Sequence, residues 1–145
     1  MSWPRPRPGL VIRYSYLWLH EHEQGKDEGT KDRPAAVIIV LDDDPQHPLV
    51  TVLPITHTAP ADSAAAIEIP TATKRRLGLD DDRSWIVVSE ANDFRWPGHD
   101  LRPLPGEDPS TILYGVLPPG LFEAVRVRVL ARVRDRGFSR VHRTE

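Results

Sequence analysis

Apolar residues gather in short runs along this chain, and two of these runs flank a polar segment. Residues 35–41 and 49–55 are rich in Val, Ile and Leu, whereas residues 42–48 contain three aspartates and two prolines. Short β-branched runs predict strands, and a segment rich in Asp and Pro predicts the turn between them. We therefore expect an antiparallel hairpin in which the numbers of paired residues sum to about 90.

The same reading extends over the rest of the chain. Further strands are predicted at 9–19, 66–69, 84–89 and 111–116, with loops at 20–32 and 92–105. Residues 70–77 begin with a proline and precede Gly78, which predicts a short helix. Residues 120–135 repeat valines at helical spacing and predict an amphipathic terminal helix. The pattern gives one mainly β domain with a C-terminal helix at 9–137, a Pro/Arg arm at 1–8 and a tail at 138–145.

Composition limits the chemistry of the chain. The 145 residues include no cysteine, which excludes disulfides, thiolate metal sites and thiol catalysis. The net charge is −2, so binding of nucleic acid requires a local basic surface. The N-terminus lacks the apolar core of a signal peptide, and no apolar run approaches membrane-spanning length. We expect a soluble, cytoplasmic protein that does not engage a membrane.

The predicted hairpin collects polar side chains at its open end. Folding about the 42–48 turn places Arg33 beside Thr56 and His57. A guanidinium matches two phosphate oxygens, and a hydroxyl can donate a hydrogen bond to the same phosphate. An unperturbed imidazole titrates near neutral pH, which makes His57 a candidate for proton transfer. These groups suit metal-independent cleavage of RNA.

Arg33-Pro34 before a hydrophobic strand, followed by Val-Thr-Val-Leu-Pro-Ile-Thr at 50–56, resembles the MazF/PemK (Kid) toxins of bacterial toxin–antitoxin pairs. The resemblance implies an SH3-like small β-barrel and a sequence-selective endoribonuclease that cleaves single-stranded RNA without metal or cofactor. It also implies a homodimer that is neutralised by a cognate antitoxin. The family often carries an acidic residue five positions before the arginine, and Glu28 stands there. The expected catalytic residues are therefore Arg33, Thr56, Glu28 and His57.

A second group of residues is expected to bind the substrate. The family strand that ends in an acidic residue corresponds to 84–89, so its acidic position falls on Ser89, and Glu90 follows on the opposite face of the strand. Lys74 and Arg75 form a basic spot on the short helix, although cations at a helix C-terminus also serve the helix dipole alone. The complete expected set is Pro34, Thr58, Ser89, Glu90, Lys74 and Arg75.

Two alternatives remain open. A barrel of the same fold can bind nucleic acid or a peptide without catalysis, which the acidic net charge and the serine at position 89 favour. A metal can instead be held by His20 and His22, which share a face if they lie on a strand, with His57 or Asp32 as the third ligand.

Overall fold

The apolar runs of the sequence become strands of a mainly antiparallel sheet, to which a C-terminal helix is packed. A computed structural model describes residues 3–26, 29, 31–108 and 111–143. The strands are β1 (Leu10–Tyr14), β2 (Arg33–Leu41), β3 (Leu49–Thr56), β4 (Ala66–Glu68), β5 (Trp85–Val87), β6 (Glu90–Arg95), β7 (Leu113–Val116) and β8 (Ser139–His142). The α-helices are α1 (Leu19–Glu23), α2 (Thr71–Leu77) and α3 (Pro119–Arg134), and a 3₁₀ turn spans Ser63–Ala65.

Strand β3 is the branching point of the sheet. The strands follow the order β4-β5-β3-β2-β1-β7, and β6 also pairs with β3, next to its first half. Strand β8 pairs with β6 in parallel. Across the described residues these pairings do not close on themselves, so the sheet is open, in contrast to the closed barrel that the resemblance implies.

The central hairpin of the sequence prediction is confirmed. Strands β2 and β3 pair antiparallel, and the numbers of paired residues sum to about 90 throughout. A register shift between Val37 and Ile39 lets one extra residue bulge out of β2. The regular pairing toward the open end finishes with Ala35 opposite Pro54. Continued by two residues, this register sets Arg33 across from Thr56.

Two apolar clusters cover the two faces of the sheet. Ala36 and Leu53 belong to the cluster that α3 covers with Val125 and Val129. Residues of opposite parity on the same strands, among them Val37, join a second cluster built around tyrosines and Phe94. Because alternate strand residues point to opposite faces, each strand of the hairpin contributes to both clusters. The hairpin is therefore a rigid support for the side chains at its open end.

Three elements depart from the sequence prediction. Residues 19–23 form α1, where a strand end and a loop were expected. Residues 90–95 form β6, which overlaps the start of the expected loop at 92–105, and residues 139–142 form β8, within the expected tail. Hydrogen bonds from residues distant in the sequence hold β6 in place. Asn92 accepts from the Leu17 N–H, and Asp93 accepts from the Thr51 hydroxyl.

The N-terminal arm contacts the body of the protein near the β2–β3 turn. The Nε1–H of Trp96 donates to the carbonyl of Pro4 at 3.1 Å. Within the part of the chain that the structure describes, no helix is both long enough and apolar enough to cross a membrane.

Candidate functional site

An open groove of about 590 Å³ lies where β2 begins and β3 ends. The end of helix α2 forms one side of the groove. Gly78 adopts a left-handed conformation (φ 70°) that ends the helix, and the chain after it continues along the groove wall. Strand β7 contributes Tyr114 from the other side. Its polar lining includes Arg33, His57, Asp80, Ser84 and Tyr114.

Arg33 belongs to the lining of this groove, but its guanidinium stacks on Trp18, which does not, and it makes no ion pair among the described residues. Its guanidinium carbon lies 5.0 Å from the centre of the Trp18 ring, and its Nε is buried without a hydrogen-bond partner there. Burial lowers the pKa of Arg33, while the charges of Glu21 and Tyr16 oppose the shift. The ordinary pKa of arginine lies so far above neutral that the group remains charged. Arg33 therefore keeps its positive charge while it is packed against Trp18.

His57 forms the second functional element of the groove, together with Asp80. The Nε2 of His57 lies 2.7 Å from Asp80 Oδ2. Lys74 Nζ lies 2.7 Å from the other oxygen, Oδ1, of the same carboxylate. Burial alone would raise the pKa of Asp80, but the hydrogen bond from Lys74 and the charge of His57 lower it. An ionised Asp80 fixes the His57 ring through Nε2, and Nδ1 makes no hydrogen bond to the residues that the structure describes.

The two threonines next to His57 are arranged as a small turn. The backbone N–H of Thr58 donates to Thr56 Oγ1 at 3.2 Å, which leaves the hydroxyl proton of Thr56 available for donation. Thr56 also pairs with Trp85 of β5. Arg33, Pro34 and His57 line the groove, whereas Thr56 and Thr58 lie outside its lining.

The two residues of the expected basic spot on α2 differ in burial. Lys74 is only 5% exposed, because its ammonium turns inward to Asp80 and to the carbonyl of Asp82. Arg75 remains exposed. A buried and paired ammonium does not present a free charge at the surface, so Lys74 acts here by fixing Asp80.

Ser89 and Glu90, which were expected to bind the substrate, lie outside the lining of the groove. The backbone carbonyl of Ser89 accepts from Ser139 of β8. Glu90 Oε1 accepts hydrogen bonds from the Tyr16 hydroxyl at 3.1 Å and from the Leu19 N–H at 2.9 Å. Burial raises the pKa of Glu90, although these two donors lower it in part. Glu90 therefore ties β6 to the segment after β1.

The alternative metal site at His20 and His22 required a strand, which the structure does not form there. His20 and His22 lie on helix α1, where residues two positions apart point away from each other. Among the described residues, the group of three side chains whose ligand atoms all lie within 4.8 Å of one another is His57, Asp80 and Asp82. All three side chains are exposed, and the Lys74 ammonium already occupies one oxygen of Asp80.

Three residues of the site were missed in the sequence. Asp80 follows the Gly78 cap within the run Asp80-Asp81-Asp82, which is the signal that could have located it. Tyr114 appears in the sequence only as a strand residue. Its pKa is raised by burial and by Asp32 and Asp80, and lowered in part by Arg13, so the phenol keeps its proton in the groove. Trp18 carried no sequence signal for its contact with Arg33.

The chain matches no protein-family model and no curated protein. Glu28 lies outside the residues that the structure describes. The function is therefore inferred from the groove and from the short motifs at its edge.

Proposed function

We propose that the protein is a metal-independent, MazF/PemK-like endoribonuclease that cleaves single-stranded RNA in this groove. The observation that carries the proposal is the His57–Asp80 pair in an open groove whose lining includes Arg33 and Tyr114. Phosphodiester cleavage needs stabilisation of negative charge and a group that transfers protons, and these residues supply both.

The proposed reaction uses the 2′-hydroxyl of the substrate as the nucleophile. His57 Nδ1 removes its proton, the 2′-oxygen bonds to phosphorus, and the bond from phosphorus to the 5′-oxygen breaks. Arg33 stabilises the additional negative charge on the phosphorane oxygens. The leaving 5′-oxygen takes up a proton. We assign this proton to the phenol of Tyr114, which is protonated and lines the groove. The products are a 2′,3′-cyclic phosphate and a 5′-hydroxyl.

Four further parts of this proposal rest on the resemblance of the Arg33-Pro34 and 50–56 motifs to the MazF/PemK family: the type of barrel, the homodimer, the antitoxin and the location in the cell. We infer that the open sheet is a variant of the SH3-like barrel, in which β6 and β8 extend the sheet beside β3. A homodimer, a cognate antitoxin that occupies the groove and a cytoplasmic location belong to the same proposal.

Cleavage of RNA by the purified protein in the presence of a chelator tests the proposal. We expect cleavage to persist with the chelator and to fall on the order of 100-fold or more in Arg33→Ala, because one preorganised charge donor is typically worth about 3–4 kcal/mol. Arg126→Ala is the matched control, since Arg126 is an exposed arginine on α3 that pairs with Glu123. Equal loss in both variants would contradict a specific role for Arg33.

The second candidate is a non-catalytic binding protein. The inward placement of Lys74 and Glu90 favours it, because neither expected substrate contact presents a free charge to the groove. RNA binding without cleavage in the same experiment would support this candidate. Cleavage that requires metal would instead point to His57, Asp80 and Asp82 as ligands.

A further inference from the structure

Helix α3 carries apolar side chains on two opposite sides, and its own core covers one of them. Val125 and Val129 are buried in the cluster beneath the helix. On the other side, Val127 and Leu130 are each 53% exposed. With about 3.6 residues per turn, these two positions lie roughly opposite the buried pair. A surface helix needs only one apolar stripe to pack on its own core, so the outer stripe is available to a partner.

Charged residues of opposite sign lie at the two ends of this outer stripe. Glu123 lies four positions before Val127, and Arg134 lies four positions after Leu130. All four side chains are exposed. Their spacing of four, three and four positions is that of a coiled-coil seam, which faces a second helix along its length. These four residues, Glu123, Val127, Leu130 and Arg134, are named the α3 seam.

The α3 seam is complementary to itself when two copies of the helix run antiparallel. A twofold axis through the centre of the seam, between positions 128 and 129, sets Glu123 opposite Arg134 of the partner subunit. The same axis sets Val127 opposite Leu130 of the partner subunit. Each end of the seam then joins a carboxylate to a guanidinium, and the centre is apolar on both helices. A parallel arrangement would instead bring like charges together at both ends.

The rest of the molecule leaves room for this pairing. The seam points away from the sheet, because it lies opposite Val125 and Val129 on the helix, so the two sheets fall on the outer sides of the helix pair. Ala124 and Ala131 flank the seam along one side. These side chains are small enough for two helix axes to approach within the usual distance of about 8–10 Å. The assembly has four layers, in the order sheet, helix, helix and sheet.

The end charges of the seam have exposed partners within their own chain. Glu123 pairs with Arg126 at 2.6 Å, and Arg134 pairs with Asp135 at 3.1 Å. Exposed ion pairs of this kind contribute little to stability, so they do not oppose association strongly. In the antiparallel pair, Arg126 and Glu123 of one chain meet Arg134 and Asp135 of the partner subunit. Positive and negative groups therefore alternate at each end without loss of the pairs within each chain.

We propose that the α3 seam is a self-association surface, through which two copies of this chain form an antiparallel helix pair. A homodimer is also part of the proposed function, where it rests on sequence motifs, whereas the seam rests on α3 alone and requires no RNA. About three turns of helix from each subunit make an interface smaller than the standard size of about 800 Å² per partner. We therefore expect a reversible dimer rather than an obligate one.

Sedimentation equilibrium of the whole chain tests both the dimer and its location. We expect the wild type to associate reversibly as its concentration rises. Leu130→Asp places two charges in the centre of the interface, so it should raise the dissociation constant on the order of 30-fold or more. Leu41→Asp is the matched control and should leave this constant unchanged, because Leu41 on β2 is similarly exposed, at 52%, and lies outside the seam.

Charge reversal tests the antiparallel register. Glu123→Arg and Arg134→Glu should each raise the dissociation constant on the order of 10-fold, because each change creates like charges at both ends of the symmetric seam. The double variant restores opposite charges at both ends, so it should recover most of the affinity. A double variant as weak as the two single variants would overturn the proposal.

The outcomes separate the seam from the proposed function. A wild type that stays monomeric up to its solubility limit overturns the seam, and so does a dimer that Leu130→Asp and the charge reversals leave intact; this second outcome preserves the homodimer of the proposed function. A dimer that follows the predictions, in a protein that cuts no RNA, supports the seam and refutes the endoribonuclease. Circular dichroism identifies a poorly folded Leu130→Asp, in which case Val127→Lys takes its place.

Discussion

Replacement of Glu90 separates a structural role for this carboxyl group from a role in the groove. Glu90 accepts two hydrogen bonds, from the Tyr16 hydroxyl at 3.1 Å and from the Leu19 N–H at 2.9 Å. A net contribution of about 0.5–1.5 kcal/mol per bond gives a loss of about 1–3 kcal/mol for Glu90→Ala. Glu90→Gln keeps an amide oxygen in place of Oε1, so we expect it to retain most of this stability.

The pH dependence of stability distinguishes the two variants further. Burial raises the pKa of Glu90 in the folded protein above its value in the unfolded chain. The folded state therefore binds the proton more tightly, and the free energy of unfolding falls as pH rises from the unfolded to the folded pKa. Gln does not titrate, so Glu90→Gln should gain stability relative to the wild type as pH rises through that window.

Thermal unfolding followed by circular dichroism between acidic and neutral pH measures both effects. For a chain of this size, about 1 kcal/mol corresponds to a shift in Tm of about 2–4 °C. Glu90→Gln should retain RNA cleavage, because Glu90 lies outside the lining of the groove. The reasoning is refuted if Glu90→Gln loses as much stability as Glu90→Ala at neutral pH, or if its difference from the wild type does not change with pH.

Three shorter predictions concern other parts of the fold and the site. Asp100→Ala should destabilise the protein by about 3–5 kcal/mol in chemical denaturation, because it removes the carboxylate 2.9 Å from the guanidinium of Arg143, whose side chain is only 2% exposed. A loss below about 1 kcal/mol would contradict this. Gly78→Ala should cost about 1 kcal/mol in the same assay, because Gly78 caps α2 at φ 70°, and an unchanged midpoint would argue against that strain. Asp80→Asn should lower kcat for RNA on the order of 10-fold or more by releasing the His57 ring, and full activity would exclude this pair from proton transfer.

The local sequence pattern was sufficient to predict the elements that depend on interactions between residues close in the sequence. The β2–β3 hairpin and helices α2 and α3 follow from β-branched runs, a proline start and a glycine end. Helix α1 has five residues, too few for a helical period to show in the sequence. Strands β6 and β8 depend on each other and on partners distant along the chain, so propensity alone did not reveal them.

The candidate site divides in the same way. The register of the hairpin leads from sequence alone to Arg33, Thr56 and His57 at one end of the sheet. The structure places Arg33 and His57 in the groove lining and Thr56 outside it. Asp80 reaches that groove through the α2 cap, and Trp18 contacts Arg33 from the segment before α1; both positions depend on tertiary packing. The inward turn of Glu90 follows from its contact with Leu19, which lies 71 residues earlier in the chain.

The central claim is that Arg33 and the His57–Asp80 pair cleave RNA without a metal ion. Analysis of the cleavage ends by mass spectrometry, with chelator present throughout, tests this claim most directly. The account predicts fragments that end in a 2′,3′-cyclic phosphate and begin with a 5′-hydroxyl, and it predicts their absence with Arg33→Ala. Fragments with 3′-hydroxyl and 5′-phosphate ends, or no fragments from the wild type, would contradict it.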